Sequence, residues 1–439
     1  MSLIFQSMIE TIEQLHRKEI TTEDVLFATY ERIQETNATL RAFIEWEKTF
    51  PIETPSPLKN IPLGMKDMLD VKGMLTTYGS PLFATHRAKE SSDVAKRLTR
   101  AGGLIVGKQN THQFAYGPTG DRSHFGAVRN PFDLHRMTGG SSSGSAAAVA
   151  AGLVYGSIGT DTSGSIRLPA AFTGLVGMKP TQASVSDEGA FPLAPSLDHI
   201  GPLTRTVRDN ALLLSLIQKR TLPPSRRALS SIVIGRPTNY FNHFLSPSVQ
   251  HSYEELFLLF ERLGMTIVPI ELPSMNSWLE AQQVIIQKEA FTIHENRFYQ
   301  HPDAWDDEVY ARLQQASTIT TPMYEEALQY KKRAAEEARA IFESVDIFFT
   351  PTVPITAPLI NERTIDHQEF SHIREVLTRF TAPTNFISLP SMNIPIGRDG
   401  HLPIGGQLIA APFKENLLYE VGERLEKELA FDWTKYLKI

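Results

Sequence analysis

The stretch Thr138–Ser145, TGGSSSGS, runs without a break into AAAVAAG. A flexible Gly/Ser linker leads into polar sequence or a fresh domain. Here it leads into a small-residue helix, predicted over 146–152, with almost no polar face, and such a helix belongs inside a protein. Hydroxyls and backbone N–H groups at its head are then held away from water. Without partners each costs roughly 1–3 kcal/mol. The fold must therefore wrap a polar loop and engage its groups.

A second segment of this kind, GTDTSGSIRLPAAF from Gly159 to Phe172, follows a strand predicted over Tyr155–Thr160. Thr162, Ser163, Gly164 and Ser165 form a tight turn with successive N–H groups facing one point, the geometry of an oxyanion hole. A serine in that turn can attack a carbonyl held there. An ordinary strand-to-helix turn with an N-cap serine is the competing reading of this segment. A serine nucleophile needs a base. His112, His124, His135 and His199 are scattered and pair with neither serine cluster. Lys66, in IPLGMKDML, is flanked by Ile61, Leu63, Met65, Met68 and Leu69, which predicts a buried strand with the lysine on one side. Lysine is uncommon in such a run, and burial there favours its neutral amine. Pairing with Asp67 or Asp70 is the alternative for Lys66.

The rest of the chain alternates helical and strand patterns. Helices are predicted over 3–16, with a stripe of Ile4, Met8, Ile9, Ile12 and Leu15, and over 22–36 with Thr22 as N-cap. A Pro-rich stretch at 51–64 follows. Val94, Leu98 and Ala101 mark a helix that Gly102-Gly103 ends before a strand at Leu104–Val106. Further strands are predicted at Leu175–Met178, Ile232–Ile234, Thr266–Ile270, Ile347–Thr350, Met392–Ile396 and Gly406–Ile409, and 276–345 reads as mostly helical. Interleaved elements of this kind argue for an α/β class.

Composition removes several chemistries. There is no cysteine, hence no disulfide, thiolate zinc site or cysteine nucleophile. No metal-ligand cluster of recognisable spacing occurs. The net charge of -6 mixes 43 basic with 49 acidic residues and contains no basic block, so neither nucleic acid nor an anionic membrane is expected as a partner. MSLIFQSMIETIEQL lacks the basic start of a signal peptide, and the small apolar run Ala146–Gly156 is too short to span a bilayer. A cytoplasmic location is expected.

Taken together these segments resemble the amidase signature family. The likeness rests on Pro62-Leu63-Gly64-Met65-Lys66-Asp67, on Gly139-Gly140-Ser141-Ser142-Ser143-Gly144-Ser145, and on Gly159-Thr160-Asp161-Thr162-Ser163-Gly164-Ser165-Ile166-Arg167. Gly177-Met178-Lys179-Pro180-Thr181 and Asp198-His199-Ile200-Gly201-Pro202 extend it. The resemblance implies one amidase domain over 1–439, with a signature core at 61–209. It implies a single large mixed β-sheet flanked by helices on both sides. It also implies a Ser–cisSer–Lys triad: Ser165 as nucleophile, Ser141 on a cis peptide as proton relay, and Lys66 as base. Backbone N–H groups of Thr162, Ser163, Gly164 and Ser165 would hold the oxyanion, and Ser142 would support the relay. Neither a cofactor nor a metal is needed. Ser143 and Ser163 stand where the family usually has Gly, and Ala183-Ser184 replaces a usual Gly-Arg pair. A serine at 163 would be strained if the turn required a positive φ there.

The expected activity is hydrolysis of a small-molecule carboxylic amide to acid plus amine or ammonia, by an enzyme for which a homo-oligomer is compatible. A rival within the family is the A subunit of a tRNA-dependent amidotransferase, a glutaminase. Residues 300–345 lack that subunit's typical pattern, which places the stand-alone amidase first. A third reading takes Gly140-Ser141-Ser142-Ser143-Gly144 as the nucleophile elbow of an α/β-hydrolase esterase, with Ser142 attacking. That elbow needs a strand before it, and RNPFDLHRMT reads as a poor one.

Overall fold

Alternation along the strands decides the architecture, because successive side chains point to opposite faces. Ile105 joins one apolar cluster while Leu104 and Val106 join another. Ile347 and Phe349 likewise separate from Phe348. Both faces of the sheet are apolar, so both are covered by helices.

The computed structural model describes residues 3–48, 56–221, 223, 227–241, 244–272, 275–365 and 372–439. The first part of the Pro-rich stretch, 51–55, lies outside them. The strands are β1 (Phe43–Trp46), β2 (Pro62–Lys66), β3 (Leu104–Gln109), β4 (Arg129–Asn130), β5 (Asp133–Met137), β6 (Gly156–Asp161) and β7 (Val176–Lys179). They continue as β8 (His199–Thr204), β9 (Val233–Pro237), β10 (Thr266–Ile270), β11 (Ile347–Pro351), β12 (Ser391–Asp399) and β13 (Leu402–Ala410). Among the described residues 11 of them form one sheet in the order β1-β3-β2-β6-β8-β7-β12-β13-β11-β9-β10, and β4 pairs with β5 apart from it. The sheet is mixed: β2 lies parallel to β3 and β6, and β9 to β10 and β11. The pairs β6–β8, β7–β8, β7–β12, β12–β13 and β13–β11 are antiparallel. This is the mixed, doubly covered sheet expected of the amidase signature fold.

Local signals explain most elements. The first helix runs Met8–Arg17 behind a short turn at Leu3–Phe5, capped by a reciprocal Ser7–Glu10 box. The second, Thr22–Leu40, is capped by Thr21 with Asp24, one residue earlier than the sequence suggested. Strand β8 escaped prediction because Gly201 and Pro202 read as breakers. The poor strand before the serine cluster does form, as β5, but in the small separate sheet. The segment 275–345 supplies helices Met275–Gln300, Asp307–Ala316 and Thr321–Ile341. Among the described residues no helix is long and apolar enough to cross a membrane.

The helix Ser143–Ala150 is buried along its whole length. Gly144 makes this possible: a Cβ there would lie 2.3 Å from the Ala42 carbonyl and 2.5 Å from the Asn110 nitrogen. Both obstacles are backbone, so the helix itself must move to admit a methyl group. Gly144→Ala is expected to lower unfolding stability by about 1–3 kcal/mol, read as a fall in the urea midpoint at constant slope; an unchanged midpoint would show slack at this contact.

Candidate active site

Lys66 ends β2, and its direction follows from register. Met65 lies beside Lys108 on β3, and Lys66 beside Gln109. Lys66 therefore points to the opposite face from Lys108. Asp67 returns to the Lys108 side, where its carboxylate sits 3.3 Å from Lys108 Nζ and accepts from Thr77. The alternative pairing of Lys66 with Asp67 is thus not made. Lys66 forms no ion pair among the described residues. Its Nζ lies 2.8 Å from Ser141 Oγ and 2.6 Å from Thr160 Oγ1, completely buried. Burial lowers its pKa to about 7, against the opposing pull of the Asp198 and Asp161 charges.

Ser141 follows a cis peptide bond, Gly140–Ser141, just ahead of the buried helix. Its carbonyl accepts from Thr111 Oγ1 at 2.9 Å. Ser142 is turned away into β6: its Oγ donates to the Thr160 carbonyl at 3.1 Å, and the Thr160 N–H points back to it at 3.3 Å. That arrangement leaves Ser142 buried and tied to backbone, and it lines neither of the two cavities described below. The Ser142 N–H donates to the Ser165 carbonyl at 3.2 Å, which joins the two serine turns.

Ser165 lies in the turn between β6 and the helix Arg167–Phe172, at the wall of a cavity of about 70 Å³. The turn is held by Asp161. Its carboxylate accepts from Gly164 N–H (2.7 Å), Ile166 N–H (3.1 Å), Arg167 Nη2 (3.0 Å) and Asn385 Nδ2 (2.9 Å). Burial alone would raise the pKa of Asp161; the Arg167 charge and these hydrogen bonds hold it well below the usual carboxylate range. The Gly164 N–H is therefore already engaged, which narrows the four expected oxyanion donors to Thr162, Ser163 and Ser165. The positive φ of the turn, 123°, falls at Gly164 and not at Ser163. Serine at 163 is consequently unstrained. Ala183, by contrast, does adopt φ 61° where the family usually has Gly.

The cavity beside Ser165 is lined by Tyr116, Gly117, Ser163, Gln283, Ile286, Arg312 and Arg374, among others. Arg312 donates to the Tyr116 carbonyl and lies 3.4 Å from Glu308. Arg374 has no ion pair among the described residues, and its buried Nε has no hydrogen-bond partner. A larger cavity of about 240 Å³, lined by Thr160, Gln182, Ala183, Phe191 and Asp198, meets the first at Ala115, Thr162 and Leu193. Asp198, pushed up to about 6 by burial, accepts from Thr162 Oγ1 at 2.6 Å. The motifs contain Thr160, Asp161, Arg167 and Asp198, yet nothing in the sequence assigns these four a role. Gln282, whose Nε2 donates to the Thr162 carbonyl, Thr381, whose Oγ1 donates to the Ser163 carbonyl, and Asn385 carry no local signal, because only the fold brings them here.

Comparison with known proteins bears on the family and the fold. The amidase family profile matches residues 10–419. The A subunit of the glutamyl-tRNA(Gln) amidotransferase of Carboxydothermus hydrogenoformans is 32% identical, covering 98% of this chain and 99% of that protein. A solved structure described as an amidase superposes with a TM-score of 0.90 at 29% identity, covering 97% of this chain and 100% of the other. The A subunit of the glutamyl-tRNA(Gln) amidotransferase from Thermotoga maritima gives 0.86 at 30% identity, covering 98% and 95%. The chain belongs to the amidase signature family, whose hydrolases and amidotransferases act on C–N bonds. One expectation is corrected. A chain meeting only a small-molecule amide, with no nucleic acid in its partnerships, does not agree with relatives named as one subunit of an enzyme named for a tRNA. Net charge reports on the surface of this chain and is silent on what companion subunits carry.

Burial of Lys66 makes stability depend on pH. Between pH 7 and 10.5 the unfolded chain keeps a proton on Lys66 that the folded chain has released. Stability contributed by this site therefore rises with pH across that window. Relative to Lys66→Met, the wild type should gain about 4 kcal/mol on going from pH 7 to 10, measured by urea unfolding of both proteins. Parallel pH profiles would show that the amine is not shifted.

Proposed function

We propose that the chain cleaves a carboxamide C–N bond through an acyl-enzyme on Ser165, and that it is the amide-hydrolysing A subunit of a tRNA-dependent amidotransferase, with glutamine as ammonia donor. The observation that carries the chemistry is the 2.8 Å contact between a buried, carboxylate-free Lys66 amine and Ser141 Oγ. An amine with a pKa near 7 is substantially neutral at working pH and accepts a proton. Lys66 takes the proton of Ser141 as Ser141 takes that of Ser165. The Ser165 oxygen bonds to the carbonyl carbon, whose π electrons move onto oxygen, facing the N–H groups of Thr162, Ser163 and Ser165. Collapse re-forms the carbonyl and breaks the C–N bond, and Ser141 delivers a proton to the departing nitrogen. Water then attacks the ester, giving one proton to the Lys66–Ser141 pair; Ser165 leaves protonated and the acid is released.

Two observations support the amidotransferase role. The full-length relative at 32% identity bears that name. The cavity wall also carries Arg374, which has no ion pair among the described residues, and Arg312, a setting suited to the carboxylate of glutamine. This reverses the order of the two readings drawn from residues 300–345. A stand-alone amidase is the second reading, favoured by the higher TM-score, 0.90, of the structure described as an amidase. Both assign the same residues.

Ammonia release from L-glutamine, with and without the companion subunits of such an amidotransferase, separates the two. Release is expected, with Ser165→Ala abolishing it and Lys66→Ala lowering it by about 10²–10⁴-fold. Cleavage of simple amides or anilides without any glutaminase activity would select the second reading; near-normal turnover by Ser165→Ala would sink both. Because neutral Lys66 is the base, the acylation rate at low substrate should rise with pH and level off above about 7. A flat profile from pH 5 to 9 would remove Lys66 from that role.

A further inference from the structure

The helix Met275–Gln300 reaches across to Ser163. Gln282 of that helix is buried, at 2% exposure. Its Nε2 donates to the Thr162 carbonyl at 3.1 Å and lies 3.4 Å from Ser163 Oγ. A carbonyl only accepts, so the first contact fixes which end of the Gln282 amide faces the turn. The Ser163 oxygen thus faces a donor, and its own proton is directed elsewhere. No acceptor within the protein takes that proton among the described residues. The Ser163 carbonyl is held separately, by Thr381 Oγ1 at 2.5 Å. Backbone and hydroxyl are therefore both fixed, by two segments far outside the motif. Ser163 is only partly buried and lines the same cavity as Ser165.

We infer that Ser163 is a specificity-determining residue: its hydroxyl donates to an acceptor carried by the acyl group close to the scissile carbonyl, and Gln282 is the positioning residue that aims it. The inference rests on the reading of Ser165 as nucleophile. It names a substrate class, acyl groups with a hydroxyl or carbonyl oxygen, or a similar acceptor, beside the reacting carbon; the side-chain amide of glutamine has only a methylene there, so the inference goes with the second reading, a stand-alone amidase. Glycine at 163 offers no such donor. The hydroxyl adds a hydrogen bond without backbone strain, because the positive φ of the turn sits at Gly164.

The test compares acylation of the full chain by the 4-nitrophenyl esters of 2-hydroxypropanoic and 2-methylpropanoic acid. These differ by a hydroxyl in place of a methyl group, and the pre-steady-state burst of 4-nitrophenolate reads the acylation step alone. The wild type should prefer the hydroxy ester. The ratio of the two rates should fall about tenfold in Ser163→Ala, recover in Ser163→Thr, and fall again in Gln282→Leu with Ser163 present. An equal loss on both esters would overturn the inference, leaving Ser163 a turn residue only. An unchanged ratio, or a wild type acylated by neither ester, would overturn it as well. Intact mass after fluorophosphonate treatment of wild type and Ser165→Ala keeps the two levels apart: an adduct that persists in Ser165→Ala refutes the nucleophile, whereas its loss there beside an unchanged ester ratio refutes Ser163 alone.

Discussion

The buried ion pair between Asp161 and Arg167 organises everything around Ser165. Both side chains are fully buried, 3.0 Å apart. A pair removed from water in this way offsets its desolvation only when the remaining lone pairs and protons are satisfied. Here they are. Asp161 collects Gly164, Ile166 and Asn385, while Arg167 reaches Thr384, Gln407, Asn385 and the Thr381 carbonyl. One network therefore ties the end of β6, the turn with Ser165, the helix behind it and the C-terminal strands. Loss of either charge would strand the other inside the protein, a far larger penalty than the loss of a surface bridge.

The same rule, that a buried charge needs a partner, separates two buried lysines on neighbouring strands. Lys66 and Lys108 are both completely buried, and burial lowers both pKa values. The parallel register of β2 and β3 sends them to opposite faces. Asp67, one residue beyond Lys66, falls on the face of Lys108 and pairs with it. Lys108 becomes a structural cation that also holds Thr76 and the Leu75 carbonyl. Lys66 is left among hydroxyls, with carboxylates acting only from a distance. A difference of one position in a period of two distinguishes a structural lysine from one poised near neutrality.

Around this core the pocket walls come from elsewhere. Tyr116 and Gly117 lie in the loop after β3, Gln283 and Ile286 on the helix 275–300, Arg312 on the helix 307–316 and Arg374 on the helix Ile373–Thr378. Lys66, Ser141 and Ser165 sit on the sheet or in the turns anchored to it, and the cavity-facing groups sit on helices and loops attached further out. Members of one family can share the first set and differ in the second, which is how an amidase and one component of an amidotransferase come to have the same fold.

What depends on local chemistry was determined by the sequence itself. The two Gly/Ser segments, the lysine in an apolar run and the alternation of elements were all legible, because periodicity, turn residues and motif spacing are properties of neighbours in the chain. Strand β8 was missed since Gly201 and Pro202 locally deny a strand that its neighbours enforce. Whether Lys66 would meet Asp67 was open in the sequence, since adjacency in the chain does not state which face a side chain takes; the β2–β3 register decided it. The Gly164 N–H could not be known as engaged, nor Ser163 as unstrained, before the Asp161 carboxylate and the backbone angles of the turn were seen. Gln282, Thr381 and Asn385 lie 117 or more residues from Ser165 in the chain, and no local pattern marks them. Only assembly of the sheet, which brings β12 beside β7 and the helix 275–300 over the serine turn, placed them at the site.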